Sequence, residues 1–139
     1  MKYTHKQLKI KSIKSQHYSK MMLAVSYADV IIVSQLRSAI ALRYDATKHD
    51  TPIVIAKGVA SVALQIRKIA IHNKIPIIQH SALVISLYNC RSPIPEVLYE
   101  IVAEVLTYAY TIKNQGMKVS QLMSPQQLNK YHLFVANNV

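Results

Sequence analysis

Six histidines are the side chains of this sequence best able to bind a metal ion or to transfer a proton near neutral pH. No two of them are spaced as His-x-x-x-His, which would place both imidazoles on one helix face, and none stands beside a cluster of carboxylates. The sequence therefore predicts no metal site and no cofactor. The six are His5, His17, His49, His72, His80 and His132.

The other candidates for chemistry are equally isolated. Cys90 is the single cysteine, so a disulfide framework within the chain is excluded, and with no evident base nearby we expect a small buried or half-buried residue. His49-Asp50 has the composition of a turn. Gly58 and Gly116 are the two glycines, and both fall at predicted element boundaries, so a glycine-rich phosphate loop is disfavoured. We expect no small-molecule substrate.

Composition indicates one folded domain with an anionic neighbour. The chain has 139 residues, of which 51% are hydrophobic, enough for a core. Lys and Arg number 17 against 6 acidic residues, a formal charge of +11, which predicts an anionic or electronegative partner. No apolar run reaches the roughly 18 residues of a membrane span, and the N-terminus is too polar for a signal peptide.

Residues 1–20 form a basic arm with no acidic residue, since the first acid is Asp29. Apolar residues recur in the arm at a spacing of three to four, which predicts a weakly amphipathic helix that strengthens toward 21–25. A solvated helix fits this pattern, and so does an electrostatic contact with anionic lipid or nucleic acid. The cations of the arm are Lys2, Lys6, Lys9, Lys11, Lys14 and Lys20.

Short β-branched runs alternating with helical patterns predict an α/β fold. We expect a small mixed central sheet of about four strands surrounded by helices and preceded by the basic N-terminal helix, with the third and fourth strands parallel. The predicted domain covers 21–114, followed by a polar tail over 115–139 with one apolar patch. The strands are expected at 29–33, 38–44, 52–56 and 74–79, and the later helices at 59–73, 81–88 and 95–113.

An acidic stripe is predicted on the last helix, because Glu96, Glu100 and Glu104 are four residues apart. A solvated face near the helix N-terminus explains this stripe. It is also the one concentrated negative surface in the sequence, so docking of a basic partner, or of the chain's own basic arm, is the alternative.

Several stretches of the chain carry a resemblance through their order and spacing. They are MMLAV at 21–25, ADVII at 28–32, AIALRYD at 39–45, PIVIAKG at 52–58, ALQIR at 63–67, IPI at 75–77, AL at 82–83, LY at 87–88 and IPEVLYEIVAEVL at 94–106. Through these stretches, residues 21–113 resemble, nearly throughout, the cytoplasmic domain of the FlhB/YscU family, the export-switch proteins of flagella and type III secretion injectisomes.

The resemblance implies a self-cleaving loop at the end of the first strand, and the sequence departs from the family there. In the family an Asn-Pro-Thr-His loop cuts its own backbone after the Asn. The aligned residues here are Ser34, Gln35, Leu36 and Arg37. Gln35 stands one position late, precedes Leu36 instead of proline, and would need a slower six-membered ring. We therefore predict the family fold without self-cleavage and with no catalytic residues.

Three alternatives stay open at this point. Ser34 can in principle attack the Val33 carbonyl in an acyl shift, which would make the chain a self-cleaving switch with a non-standard loop. A nucleic-acid-binding module would use the basic arm, although only Tyr3 and Tyr18 offer stacking surfaces there. A regulatory paralogue that competes for the export gate fits the same residues.

The resemblance also implies partners and a location. Export-gate and ruler proteins would be the partners, at the cytoplasmic face of the bacterial inner membrane, in a flagellar or an injectisome system. Lys57 and Gly58 match a surface motif of the family, and Arg37 adds a charge where the family has histidine. The family carries a membrane region before this domain, so the sequence is either part of a longer protein or a stand-alone homologue, with the arm near anionic lipid.

Overall fold

The structure, a computed structural model, describes residues 4–35, 37–48, 50–90, 93–115 and 134–135. Within these ranges, five strands and four helices follow one another, with a short 3-10 helix over Glu96–Leu98 before the last helix. The strands are β1 (Val30–Val33), β2 (Ser38–Arg43), β3 (Ile53–Val59), β4 (Ile77–Gln79) and β5 (Phe134–Val135). The helices are α1 (His5–Val25), α2 (Ser61–His72), α3 (Ser81–Tyr88) and α4 (Tyr99–Gln115).

The strands form one mixed sheet in the order β3-β2-β1-β4-β5. β1 pairs with β2 and β2 with β3 in antiparallel fashion, whereas β1 and β4 are parallel. It follows that β3 and β4 run in the same direction, as predicted, with β2 and β1 between them. β5 pairs antiparallel with β4, so part of the predicted polar tail joins the sheet.

Helices cover both faces of the sheet, which confirms the predicted architecture. The end of α1 and the buried face of α2 pack on one side with Ile31 and Val33. α3 and α4 pack on the other side with Val30 and Ile32. Because successive side chains of a strand point to opposite faces, a strand covered twice must be apolar at every position. This explains the uninterrupted apolar run that marks β1 in the sequence.

Around Gly58 the structure differs from the predicted element boundaries and from the predicted surface motif. β3 continues through Gly58 to Val59, and α2 begins at Ser61 instead of residue 59. Gly58 pairs with Ala39 and is buried, so the predicted surface motif reaches the surface only at Lys57. A Cβ at Gly58 would lie 2.1 Å from Cγ1 of Val62. The glycine is therefore needed for the close approach of α2 to β3, which a single sequence does not reveal.

α1 is one continuous helix that runs across the predicted boundary at residue 20. At its C-terminal end Val25 is fully buried, and Met21 and Met22 pack beside it on the α2 side of the sheet. Residues 15–20 are exposed. The basic arm is thus attached to the core through the last turns of α1, which follow it. Within the described part of the chain, none of the helices combines the length and apolarity needed to cross a membrane.

Candidate functional site

The loop between β1 and β2 is the candidate site, because the resemblance predicts that its residues correspond to the cleavage loop of the family. It leaves the sheet where the parallel strands β1 and β4 both end. Ser34, Gln35 and Arg37 are described by the structure, and Leu36 lies outside the described residues.

Ser34 is buried and forms two hydrogen bonds with Ser38 across the base of the loop. It is 2% exposed, and its amide donates a hydrogen bond to the Ser38 carbonyl at 3.0 Å. The Ser34 hydroxyl oxygen accepts in turn from the Ser38 amide at 3.2 Å. A buried hydroxyl used in this way satisfies a backbone donor that the tight connection would otherwise leave unpaired. Ser34 thus has a structural role in holding β1 and β2 together.

His80 forms a hydrogen bond with the Val33 carbonyl, the group that the Ser34 hydroxyl would attack in an acyl shift. The Val33 carbonyl oxygen accepts a hydrogen bond from the His80 amide at 2.9 Å. The His80 side chain is buried, and its Nδ1 accepts from the Leu83 amide at 3.0 Å, capping α3. That nitrogen is therefore engaged and is not a free base for the Ser34 hydroxyl.

Two further contacts fix the loop to neighbouring elements. The Gln35 amide donates to Ser81 Oγ at 3.3 Å, at the start of α3. The Arg37 carbonyl accepts from the Ala60 amide at 3.0 Å, in the connection between β3 and α2. Arg37 and Ala60 have φ angles of 63° and 51°, a left-handed conformation that residues other than glycine rarely adopt. This hydrogen bond joins two backbone positions that their surroundings must hold in place.

An open cleft of about 520 Å³ lies between the loop and α2. Two cations line it, Arg37 from the loop and Arg67 from α2. The spacing of apolar residues in α2 places Arg67 outside the packing face but gives no sign that it meets the loop 30 positions earlier. The other lining residues are Ser34, Gln35, Ala60, Ser61, Ala63, Leu64 and Gln79.

Lys57 is exposed but has partners elsewhere. Its Nζ donates to the Tyr88 carbonyl at 2.7 Å and lies 5.2 Å from the centroid of the Tyr88 ring. These contacts tie β3 to the C-terminal end of α3. Lys57 does not line the cleft beside the loop, so the structure separates it from Arg37.

The acidic stripe lies on the α4 side of the sheet. Glu96 is in the 3-10 helix, Glu100 and Glu104 are in α4, and the first two are exposed while Glu104 is half-buried. α1 packs against the opposite side. Docking of a basic partner, or of the chain's own arm, on this stripe therefore stays a prediction.

The lysines of the arm and Cys90 are the remaining residues singled out in the sequence. Lys6 and Lys20 are exposed on α1, whose backbone also carries Lys9, Lys11 and Lys14, while Lys2 lies outside the described residues. Cys90 is half-buried, as predicted, and its Sγ donates to the Ser86 carbonyl at 2.8 Å. Among the residues that the structure describes, no three His, Cys, Asp or Glu side chains group as a metal site would require.

Comparison with known proteins places this geometry in a family. The sequence profile of the FlhB HrpN YscU SpaS family matches residues 4–109. The chain is 39% identical over 99 residues to the flagellar biosynthetic protein FlhB of Bacillus subtilis, covering 69% of this chain and 28% of that protein. It is also 39% identical over 97 residues to FlhB of Escherichia coli K12, covering 68% and 25%. The chain thus spans about a quarter of the length of these curated relatives.

Solved structures show the same fold. The cytoplasmic domain of FlhB from Shewanella putrefaciens superposes with a TM-score of 0.66 at 36% identity, covering 71% of this chain and 78% of that one. An EscU C-terminal domain with an asparagine-to-aspartate substitution gives 0.61 at 28% identity, covering 78% and 95%. The fold is therefore that of the FlhB and EscU cytoplasmic C-terminal domains. The chain belongs to the FlhB HrpN YscU SpaS family.

Proposed function

We propose that this domain serves a type III protein export apparatus as a docking scaffold whose backbone stays continuous through residues 34–37. The loop sequence Ser34-Gln35-Leu36-Arg37 is the observation that carries this proposal. A scaffold of this kind acts by holding partners and not by breaking a peptide bond. The partners that this domain would hold are the export-gate and ruler proteins.

The chemistry of asparagine supports an uncut loop. An asparagine cuts the chain when its side-chain amide nitrogen attacks its own carbonyl carbon, closes a five-membered succinimide and expels the nitrogen of the following residue. Ser34 has no side-chain amide, and Gln35 would form the larger ring and expel the nitrogen of Leu36. The hydrogen bond between Ser34 Oγ and the Ser38 amide gives the serine hydroxyl a structural task instead.

A continuous loop implies one surface state. Three hydrogen bonds hold the loop to its neighbours. The Ser38 amide of β2 donates to Ser34 Oγ, and the Gln35 amide donates to Ser81 Oγ of α3. The Ala60 amide, in the connection between β3 and α2, donates to the Arg37 carbonyl. A cut chain can release such contacts, whereas an intact one keeps both strand ends together. The domain would then stay in the early export mode of rod, hook or needle substrates, or switch through binding alone.

Affinity capture from the source cell tests the docking role. The full 139-residue chain, carrying a C-terminal tag, is recovered after mild crosslinking, and its partners are identified by quantitative mass spectrometry. We expect export-gate and ruler components to be enriched over a tag-only control. Enrichment of nucleic-acid-binding proteins alone, persisting after nuclease treatment, would contradict the docking role.

The basic arm is proposed to contact the anionic inner leaflet. Lys6 and Lys20, whose side chains the structure describes on α1, are both exposed. Each lysine near an anionic membrane surface contributes about 1 kcal/mol. Such a contact orients the domain without inserting it.

Replacing lysines of the arm by glutamine is expected to weaken binding to anionic vesicles stepwise. The variants are Lys6→Gln, then Lys6→Gln with Lys9→Gln, then both with Lys14→Gln. Loss of about 1 kcal/mol per lysine corresponds to roughly a fivefold weaker partition at each step, measured by vesicle cosedimentation at low salt. Lys113→Gln on α4 is the matched control and should bind as the parent does. Equal binding by the triple variant would rule out the arm as the membrane contact.

A further inference from the structure

The cleft beside the loop has a positively charged lining. Of the residues that the structure describes, Arg37 and Arg67 both line it, and no aspartate or glutamate does. Neither guanidinium forms an ion pair with any residue that the structure describes. Two positive side chains that share a cleft without a counterion attract an anionic ligand, since an added carboxylate removes their mutual repulsion.

We propose that this cleft binds a carboxylate-bearing segment of a partner protein, with Arg37 and Arg67 as the anion-binding residues. Guanidinium groups suit this ligand because their planar N–H forks match the two oxygens of a carboxylate. Gln35, Ser61 and Gln79 line the same cleft and add neutral hydrogen-bonding groups. The site deepens the proposed function, on which it rests, because it names a surface through which a partner is held.

The walls of the cleft are already in place without a ligand. The hydrogen bond from the Ala60 amide to the Arg37 carbonyl joins its two sides at 3.0 Å. The loop wall is fixed again where the Gln35 amide donates to Ser81 Oγ at 3.3 Å. A site whose walls are fixed beforehand loses little conformational entropy when it binds. The left-handed backbone at Arg37 and Ala60 fits this role, because unusual backbone conformations persist where the surrounding structure holds them.

The size and lining of the cleft favour a peptide over a small inorganic anion. At about 520 Å³ it has the volume of sites that enclose several ligand groups. Leu64 is 40% exposed at its rim, and Ala63 forms part of the lining. An occupant that alternates acidic and apolar side chains would place a carboxylate between the arginines and an apolar group on Leu64.

A peptide titration of the intact protein tests the site. The probe is a hexapeptide of alternating Glu and Leu with blocked ends, followed by amide chemical shifts in the full 139-residue chain. We expect saturable shifts at the amides of Gln35, Ala60 and Ser61. Arg37→Gln and Arg67→Gln should each weaken binding about tenfold, the loss typical of one charged hydrogen-bonding partner. The analogue with Gln in place of Glu should give no saturable shifts.

Lys68→Gln is the matched control. Lys68 is exposed, follows Arg67 directly on α2 and does not line the cleft. Replacing Lys68 changes the net charge as much as either arginine variant does. Because Lys68 does not line the cleft, peptide binding should nevertheless stay within about twofold of the parent. Dispersed amide spectra of all three variants confirm that each one folds. Equal weakening by Lys68→Gln, or shifts spread over α1, would overturn the site and indicate general attraction to a basic surface.

The outcome separates this site from the proposed function. If the peptide does not bind while the chain remains whole, the cleft assignment fails and the uncut scaffold stands. If the chain is cut while the peptide still binds as predicted, the cleft assignment stands and the uncut scaffold fails.

Discussion

Installing the family's Asn-Pro-Thr-His loop is expected to make this chain cut itself after position 34. The variant carries Ser34→Asn, Gln35→Pro, Leu36→Thr and Arg37→His, and it should give fragments of 1–34 and 35–139 on a denaturing gel. The reason is chemical, because the new amide nitrogen can close on its own carbonyl and expel the proline nitrogen. The scaffold around the loop already has the fold of the FlhB and EscU domains.

The same loop with alanine at position 34 is the control. That variant combines Ser34→Ala with Gln35→Pro, Leu36→Thr and Arg37→His, and it should remain one polypeptide. Both variants lose the Gln35 amide that donates to Ser81 Oγ, so this structural change is matched between them. The two fragments of the Asn variant should still migrate together under native conditions, since β1 and β2 pair over four residue pairs. An uncut Asn variant that folds would show that more than the loop sequence prevents cleavage.

Gly58→Ala is expected to lower the free energy of unfolding by about 2 to 3 kcal/mol, in the range of overpacked cores. The added Cβ would lie 2.1 Å from Cγ1 and 2.7 Å from Cβ of Val62, and the second of these atoms is attached directly to the α2 backbone. A change of side-chain rotamer cannot move it, so α2 must shift away from β3. Urea unfolding followed by circular dichroism measures the loss.

Val62→Ala supplies the matched test of this explanation. It removes the Cγ atoms nearest the new methyl group, so the Gly58→Ala substitution should cost at least 1 kcal/mol less in the Val62→Ala background than in the parent. An equal cost in both backgrounds would show that the Cγ atoms of Val62 do not cause the conflict. A cost below about 0.5 kcal/mol in the parent would show that α2 moves freely on the sheet.

Most of the fold is readable from local sequence pattern. β1 and β2 are found because each is a short apolar run, and α3 because it begins and ends at the predicted residues. The end of β3 is missed because Gly58 resembles an element boundary, while its true role depends on packing against Val62. β5 is missed because Phe134–Val135 is only two residues long, and its pairing with β4 spans more than 50 positions.

The candidate site is readable only in part, and for a similar reason. The loop residues and their lack of an asparagine are visible directly in the sequence. The roles of Ala60 and Arg67 are not, because the turn between β3 and α2 brings them to the loop only in the folded chain. Lys57 matched a motif, but its contacts with Tyr88 come from an element 31 residues away.

The mass of the purified protein after prolonged incubation at neutral pH tests the central claim most directly. An uncut scaffold predicts one species with the mass of the whole 139-residue chain, unchanged over days. Complementary fragments parted after Val33, Ser34 or Gln35 would contradict it.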